Sequence, residues 1–348
     1  MIDVTKHLIG PKATIHDALV KIDQQEEHMI LFVVDEETRL IGTLTDGDIR
    51  RALVQGSLLE KEIEEIMHRQ FRYINSGTDS IKDISDIRGE GITLVPVLDQ
   101  TGAILEVLNL EHTRSLLPVH AVLMAGGEGR RLLPQTKTIP KSLLKIDGKS
   151  IIQYNLDHLA RYGVKRMTIS ICYLGEQIRE TFGDGSQFGW EIDYIEEKEP
   201  LGTLGALRLV KHFSKKSLLV MNSDLLTNID FEDFYLKFEK QEAAMTVATV
   251  CHTHRIPYGV IEMNGGRVTG IKEKPNILHH SNAGIYLMRK EYASIIPKSG
   301  IFNATDMVEL LISKGKKVTP YQIRGYWLDI GRPEELAKAE EDIRHIHF

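Results

Sequence analysis

The chain of 348 residues carries 43 lysines and arginines against 49 aspartates and glutamates, a formal net charge of −6. That length suits two domains with separate cores, and the mildly acidic balance gives no electrostatic reason to expect nucleic acid or an anionic membrane as partner. No apolar run approaches membrane-spanning length and the N-terminus MIDVTKHLIG shows no secretory pattern, so a cytoplasmic location is expected.

In chain order, Ile15, Ala18, Leu19 and Ile22 first keep helical spacing. The stretch ILFVVDEETRLIGTLTDGD (30–48) then lies without a gap over LVPVLDQTGAILEVLNLEH (94–112), 64 residues later. Each copy reads strand, tight polar turn, strand and helix start, so the expected unit is helix, strand, strand, helix, repeated once. After the second strand of the first copy stands Thr45-x-x-Asp48. Such a pair, taken alone, reads as a helix cap. The repeated unit with GTLTDGDIRRAL resembles a tandem pair of cystathionine-β-synthase (CBS) domains, of α+β type, over residues 1–117. The resemblance implies a regulatory adenine nucleotide held by Thr45 and Asp48. The second copy has Asn109-x-x-His112 and lacks the carboxylate, so one such site at most is expected.

From HAVLMAGG onward strands and helices alternate to the end, setting residues 118–348 apart as a second domain. RMTISIC and SLLVMNSD are continuous apolar runs, as buried parallel strands are. GKSIIQYNLDHLARYGV is an amphipathic helix, and YGVIEMNGGRVTGIKEKP reads as a hairpin turning at Asn264-Gly265-Gly266. The pattern predicts an α/β, Rossmann-like doubly wound domain. Cys172 and Cys251, each in a β-like apolar run, read as reduced core thiols. His252 and His254 alternate along a strand without a third ligand and read as surface residues. The segment from Pro333, PEELAKAEEDIRHI, reads as a helix with a solvated charged face, and the closing RHIHF as its end.

The first strand of this domain runs into LMAGGEGRRLLPQTKTIPKSLLKIDGKSII (123–152), which gathers six lysines and arginines. A glycine-rich turn between strand and helix lets bare backbone N–H groups approach a phosphate, though neither the P-loop nor the dinucleotide fingerprint is met. Alone it is a phosphate site or a tight turn. The full string is similar to the G-G-x-G-x-R-L-x-P-x-T-x-x-x-P-K stretch of sugar-1-phosphate nucleotidyltransferases. Gly126, Gly127, Gly129, Arg131, Leu132, Pro134, Thr136, Pro140 and Lys141 match, nine positions in sixteen, with Arg130 where threonine is usual. The resemblance implies an enzyme that joins a nucleoside triphosphate to a sugar 1-phosphate and releases pyrophosphate. Positioning and charge stabilisation carry such a reaction: Arg131 can fork onto triphosphate oxygens, and Lys141 is a point charge for the reacting phosphate.

Other site residues follow from the same resemblance. Asp224, ending SLLVMNSD, and Asp329, in YWLDIGRPEE, fall where family aspartates chelate Mg²⁺, a hard ion suited to carboxylates. Gly259 of YGVI, Glu273 and Lys274 of KEKP, and Asn282 of SNAGIYLM fall at sugar and sugar-phosphate contacts; a charged hairpin edge is the plainer reading of KEKP. Gly202 and Thr203 of the LGT turn fall at the nucleotide, and Glu197, five residues before Gly202, at its base. A carboxylate accepts from the N1–H and 2-amino groups of guanine, whereas uracil and thymine offer one N–H between two carbonyls, so GTP is expected over UTP.

The whole arrangement resembles the CBS-containing guanylyltransferases of the legionaminic acid pathway. This implies glucosamine 1-phosphate as acceptor, nucleotide-sugar synthesis for surface glycans or nonulosonic acids, and a homo-oligomer. Three other readings stand beside it: a uridylyl- or other nucleotidyltransferase, a non-catalytic regulatory protein of the same fold, and a glycosyltransferase. The last would want Asp-x-Asp where the chain has Asn222-Ser223-Asp224. Retention of Arg131, Lys141, Asp224 and Asp329 favours catalysis.

Overall fold

The computed structural model describes residues 2–25, 27–76 and 81–346, in two compact units that part between Leu116 and Leu117.

In the first unit, helix α1 (Ile15–Asp23) begins at a Thr14/Asp17 capping box and buries Ile15, Ala18 and Ile22. Strands β1 (Ile30–Val34) and β2 (Leu40–Thr45) form an antiparallel hairpin, with the short strand Leu8–Ile9 parallel to β1. Helix α2 (Asp46–Val54) follows. The second copy supplies α3 (Ile81–Gly89), β3 (Leu94–Leu98) and β4 (Ile104–Asn109), with Ile74–Asn75 parallel to β3. Even the irregularity recurs: the hairpin register shifts at Val33/Val34 in one copy and at Val97/Leu98 in the other. The copies differ at their ends. No helix follows β4, contrary to the expected unit, because Asn109 does not cap one: its Oδ1 accepts from the Glu111 N–H at 2.8 Å and its amide nitrogen meets His28 Nε2 at 3.0 Å.

The second unit is built on a seven-stranded sheet. Its strands are β5 (Val119–Ala125), β6 (Arg166–Ile171), β7 (Glu191–Glu196), β8 (Ser217–Asn222), β10 (Met245–Arg255), β13 (Asn276–Arg289) and β14 (Val318–Gln322). Their spatial order is β7-β6-β5-β8-β13-β10-β14. All run parallel except β13, which is antiparallel to both neighbours. Val122, Leu123, Ile169, Leu219 and Val220 are all fully buried, so both faces of the central strands are covered, as the continuous apolar runs require. Helices α4 (Ile151–Arg161), α5 (Gly175–Phe182), α6 (Phe231–Lys240), α7 (Ala304–Ser313) and α8 (Pro333–Asp342) alternate with the strands. Phe231, Phe234 and Phe238 of α6 recur at helical spacing and are fully buried. A separate antiparallel pair, β9 (Leu225–Thr227) and β15 (Trp327–Asp329), lies beyond the end of β8.

Past the sheet, β10 and β13 continue as a two-stranded ribbon, and the chain between them forms a hairpin of β11 (Val260–Asn264) and β12 (Arg267–Lys272). Its turn is the expected one, with Gly265 and Gly266 at φ 55° and 80°. His252 and His254 are exposed on the ribbon, as expected. Both cysteines are free, but they are half-buried rather than core residues: Cys172 lies just past β6 and Cys251 sits on the ribbon. The helix from Pro333 buries Leu336 and Ala339; Ile343–His345 forms a closing 3-10 turn, and His347 and Phe348 lie outside the described residues. No helix among the described residues is long and apolar enough to cross a membrane.

One buried group ties stability to pH. His120 in β5 is 1% exposed, with its ring nitrogens 3.0 Å from Ser214 Oγ and 2.9 Å from Thr168 Oγ1. Burial pushes its pKa down from 6.5 to about 4. The unfolded chain therefore takes up a proton below pH 6.5 that the folded chain refuses until about pH 4, and stability falls as pH drops through that window. At pH 5 this costs about 2 kcal/mol. Thermal melts between pH 7 and pH 5 are expected to shift less for His120→Gln than for the parent; equal shifts would contradict the assignment.

Candidate active site

Buried strand β5 delivers the glycine loop. Gly129 has φ 62°, and a Cβ there would fall 2.9 Å from Thr136 Cγ2 and 3.0 Å from Lys141 Cβ, so the bare glycine lets the loop fold onto itself. The Thr136 hydroxyl donates to the Gly129 carbonyl at 2.8 Å, and Leu132, 1% exposed, plugs the core beneath. Gly127 has open space around it. A cavity of about 510 Å³ opens at the C-terminal ends of β5 and β8, where parallel sheets place ligands.

Of the residues predicted from sequence, Gly126, Gly127, Gly129, Lys141, Glu197, Gly202, Thr203 and Asp224 line this cavity. Asp329 reaches it by strand pairing: Leu225 lies opposite Asp329, and the Ile330 N–H donates to the Asp224 carbonyl at 3.1 Å. Lys141 Nζ forms an ion pair with Asp224 Oδ2 and stands 3.6 Å from Asp329 Oδ1. Oδ1 of Asp224 and Oδ1 of Asp329 are both buried and accept no hydrogen bond. Burial and the neighbouring Asp224 charge push the Asp329 carboxyl above its ordinary range, against the pull of Lys141. Two adjacent carboxylates, each with a buried oxygen that accepts no hydrogen bond, fit a divalent cation that keeps water and phosphate as its remaining ligands. Among the described residues no group of three histidine, cysteine or acidic side chains is arranged to hold a metal by itself.

Arg131 lies outside the cavity wall. It is exposed, and a Cβ at Gly331, two residues past Asp329, would fall 3.2 Å from its Nη2. Arg130 lines the cavity instead, paired with Glu128 at 2.5 Å. The four sugar-side residues, Gly259, Glu273, Lys274 and Asn282, are exposed on the ribbon and hairpin and none lines the cavity. They fall into two groups. A Cβ at Gly259 would meet Glu273 Oε2 at 3.1 Å, and Lys274 beside it has φ 44°. Asn282 donates to the Tyr286 hydroxyl at 2.8 Å and accepts from the Gly284 N–H at 2.9 Å; a Cβ at Gly284 would meet Asn222 Nδ2, a cavity residue, at 2.7 Å.

Glu197, also in the cavity wall, is 7% exposed. Its Oε1 accepts from the Ser170 hydroxyl at 2.5 Å and its Oε2 from the Leu201 N–H at 2.9 Å. Gly202, φ 82°, packs so tightly that a Cβ would fall 2.7 Å from the Phe302 carbonyl oxygen. Asn222, Ser223 and Asn303 also line the wall, though the sequence assigns none of them a role in the site. Asn303 carries a readable signal, a capping box with Asp306 at the start of α7, but a cap motif says nothing of a ligand.

In the first unit, Thr45 and Asp48 form the capping box of α2: Thr45 Oγ1 donates to Asp48 Oδ2 at 2.6 Å, and Arg51 reaches Oδ1 at 2.6 Å. Burial alone would raise the Asp48 carboxyl, but bonds from Thr45 and Arg51 hold it below the usual range. Both residues border a cavity of about 430 Å³.

The nucleotidyl transferase family profile matches residues 120–345, spanning the glycine loop, both aspartates and the whole sheet. The chain belongs to the nucleotidyl transferase family. The CBS domain profile matches residues 5–55, the first of the two copies. Among relatives of the chain, the mannose-1-phosphate guanylyltransferase catalytic subunit beta of Danio rerio is 29% identical over 225 residues, 62% of each chain. The low-salt glycan biosynthesis nucleotidyltransferase Agl11 of Haloferax volcanii is 28% identical over 230 residues, 63% of this chain and 64% of that one. The alignments thus span somewhat under two thirds of the curated relatives' length. Among solved structures, HddC from Yersinia pseudotuberculosis complexed with GMP-PN is 26% identical with a TM-score of 0.51, covering 65% of this chain and 99% of that one.

Proposed function

We propose that the chain transfers GMP from GTP to a sugar 1-phosphate, giving a GDP-sugar and pyrophosphate. The observation that carries this reading is the cluster of Lys141, Asp224 and Asp329 in and beside the cavity walled by the glycine loop. In the reaction an oxygen of the sugar phosphate attacks the α-phosphorus, a new P–O bond forms, and the α–β bridging oxygen leaves with pyrophosphate. The chain's task is to align the reactants and offset charge. The loop amides face the triphosphate, Lys141 neutralises the reacting phosphate, and Arg130 in the cavity wall and Arg131 beside Gly331 serve the leaving charge. Asp224 and Asp329 would hold Mg²⁺, which supplies Lewis-acid stabilisation of the phosphoryl oxygens when bound. Glu197, Gly202 and Thr203 take the base end, and the ribbon residues Gly259, Glu273, Lys274 and Asn282 the sugar phosphate.

Guanine is supported by the acceptor pair that Glu197 presents in the wall, by the guanylyltransferase names among the relatives, and by the GMP-PN in HddC. Glucosamine 1-phosphate is the acceptor we favour, and the Danio rerio relative's name makes mannose 1-phosphate the essential competitor. Pyrophosphate release with Mg²⁺, GTP or UTP, and a panel of hexose 1-phosphates tests the reading. GTP with glucosamine 1-phosphate is expected to be fastest; no turnover with any pair would sink the enzyme reading, and faster UTP the base reading.

The CBS unit is proposed to bind one adenine nucleotide per chain through Thr45 and Asp48, any effect on rate requiring that the nucleotide favour one catalytic state. Calorimetry with AMP, ADP and ATP is expected to give one site, abolished by Asp48→Ala. Two sites, or binding untouched by that variant, would refute it.

A further inference from the structure

We infer that Ser170 is a positioning residue that sets the orientation of the base-reading carboxylate of Glu197. The inference rests on the proposed role of Glu197 toward guanine. Ser170 is a hydroxyl inside the otherwise apolar stretch Ile169–Ile171 of β6 and is fully buried. A buried hydroxyl needs a partner, and this one donates to Glu197 Oε1 at 2.5 Å, a length typical of a charge-assisted bond. The Leu201 N–H occupies the other oxygen at 2.9 Å.

The two donors act as a clamp. A carboxylate has about four lone-pair sites, so one bond to each oxygen leaves each with one acceptor direction free. That remaining pair is what two adjacent donors on a base edge require. Gly126 keeps the approach open: a Cβ there would stand 3.2 Å from Glu197 Oε1 and 3.0 Å from Cys172 Cβ. Without Ser170, Oε1 is free to rotate or to bind water, and the two acceptors no longer present a fixed spacing. A carboxylate held at one oxygen only still accepts, but it discriminates less between an edge with two donors and an edge with one.

The experiment compares kcat/KM for GTP and ITP, which lacks the 2-amino donor, in the full-length protein and in Ser170→Ala and Glu197→Gln. The parent is expected to prefer GTP about 10-fold or more, the worth of one bond to a charged acceptor. Both variants are expected to bring the ratio to within about 3-fold of unity. A purely structural role for Ser170 would lower both rates alike and leave the ratio unchanged. If Glu197→Gln collapses the ratio and Ser170→Ala keeps it, Ser170 does not position the carboxylate, while the base reading survives. If Glu197→Gln keeps it, the base reading falls and this inference with it. Should Ser170→Ala fail to fold, Ser170→Cys replaces it: its thiol is close in size but donates weakly, and a parental ratio there overturns the proposal.

Discussion

Replacing Asp224 by asparagine is expected to lower turnover by about 10²–10³-fold, the cost of one well-placed electrostatic group, with the melting temperature little changed. The side chain is isosteric, Asp224 lies between two buried strands that do not depend on its charge, and its Oδ1 holds no hydrogen bond to lose. What disappears is one of two carboxylates on Lys141 and one of two candidate metal ligands. Lys141→Ala is expected to match this loss, since it removes the cation that lies against both aspartates and leaves two carboxylates facing each other uncompensated. Pyrophosphate release at saturating substrates measures both. Near-parental turnover of Asp224→Asn in Mg²⁺ would remove Asp224 from the site.

Gly202→Ala is expected to destabilise the protein by about 2 kcal/mol or more, because its φ of 82° is left-handed and the added methyl would press on backbone. The clashing atom, the Phe302 carbonyl oxygen, cannot retreat freely: it also accepts from the Leu204 N–H at 3.1 Å and the Gly205 N–H at 2.8 Å. Relief would have to break those bonds and move the LGT turn out of the cavity wall. Gly127→Ala is the contrast, since nothing lies within 4 Å of its absent Cβ. Chemical denaturation is expected to show a lower midpoint for the first variant and a parental one for the second. Equal midpoints would mean the turn yields more easily than its hydrogen bonds suggest.

Most of the architecture was legible because it is written in short-range patterns. The 64-residue repeat, the apolar strand runs, the Asn-Gly-Gly hairpin and the spaced glycines are all local, and each formed where its chemistry demands. What escaped depends on tertiary context. The reversal of β13 within the sheet has no signature in its own residues. The helix expected after β4 failed because Asn109 satisfies a turn and His28 instead of capping. Arg131 matches its motif yet lies beside Gly331 while its neighbour Arg130 lines the cavity, a placement that spacing cannot express. Ser170 was invisible because an apolar strand tolerates a lone serine for many reasons; its meaning appears only once Glu197 lies across from it.

The glycine loop is tied down along its length. The Thr136 hydroxyl holds its start at 2.8 Å, Leu132 is sunk in the core, and Thr136 itself is fully buried. A segment so rich in glycine would otherwise give up a large conformational entropy each time it wrapped a triphosphate. Here that ordering has been done once, when the chain folded, and is not repeated at each encounter. For the proposed nucleotide, association would then proceed by docking onto a standing surface rather than by a disorder-to-order step. Thr136→Val, which keeps the shape but removes the hydroxyl, would return that cost to every binding event, appearing in calorimetry as a more unfavourable entropy for the nucleotide.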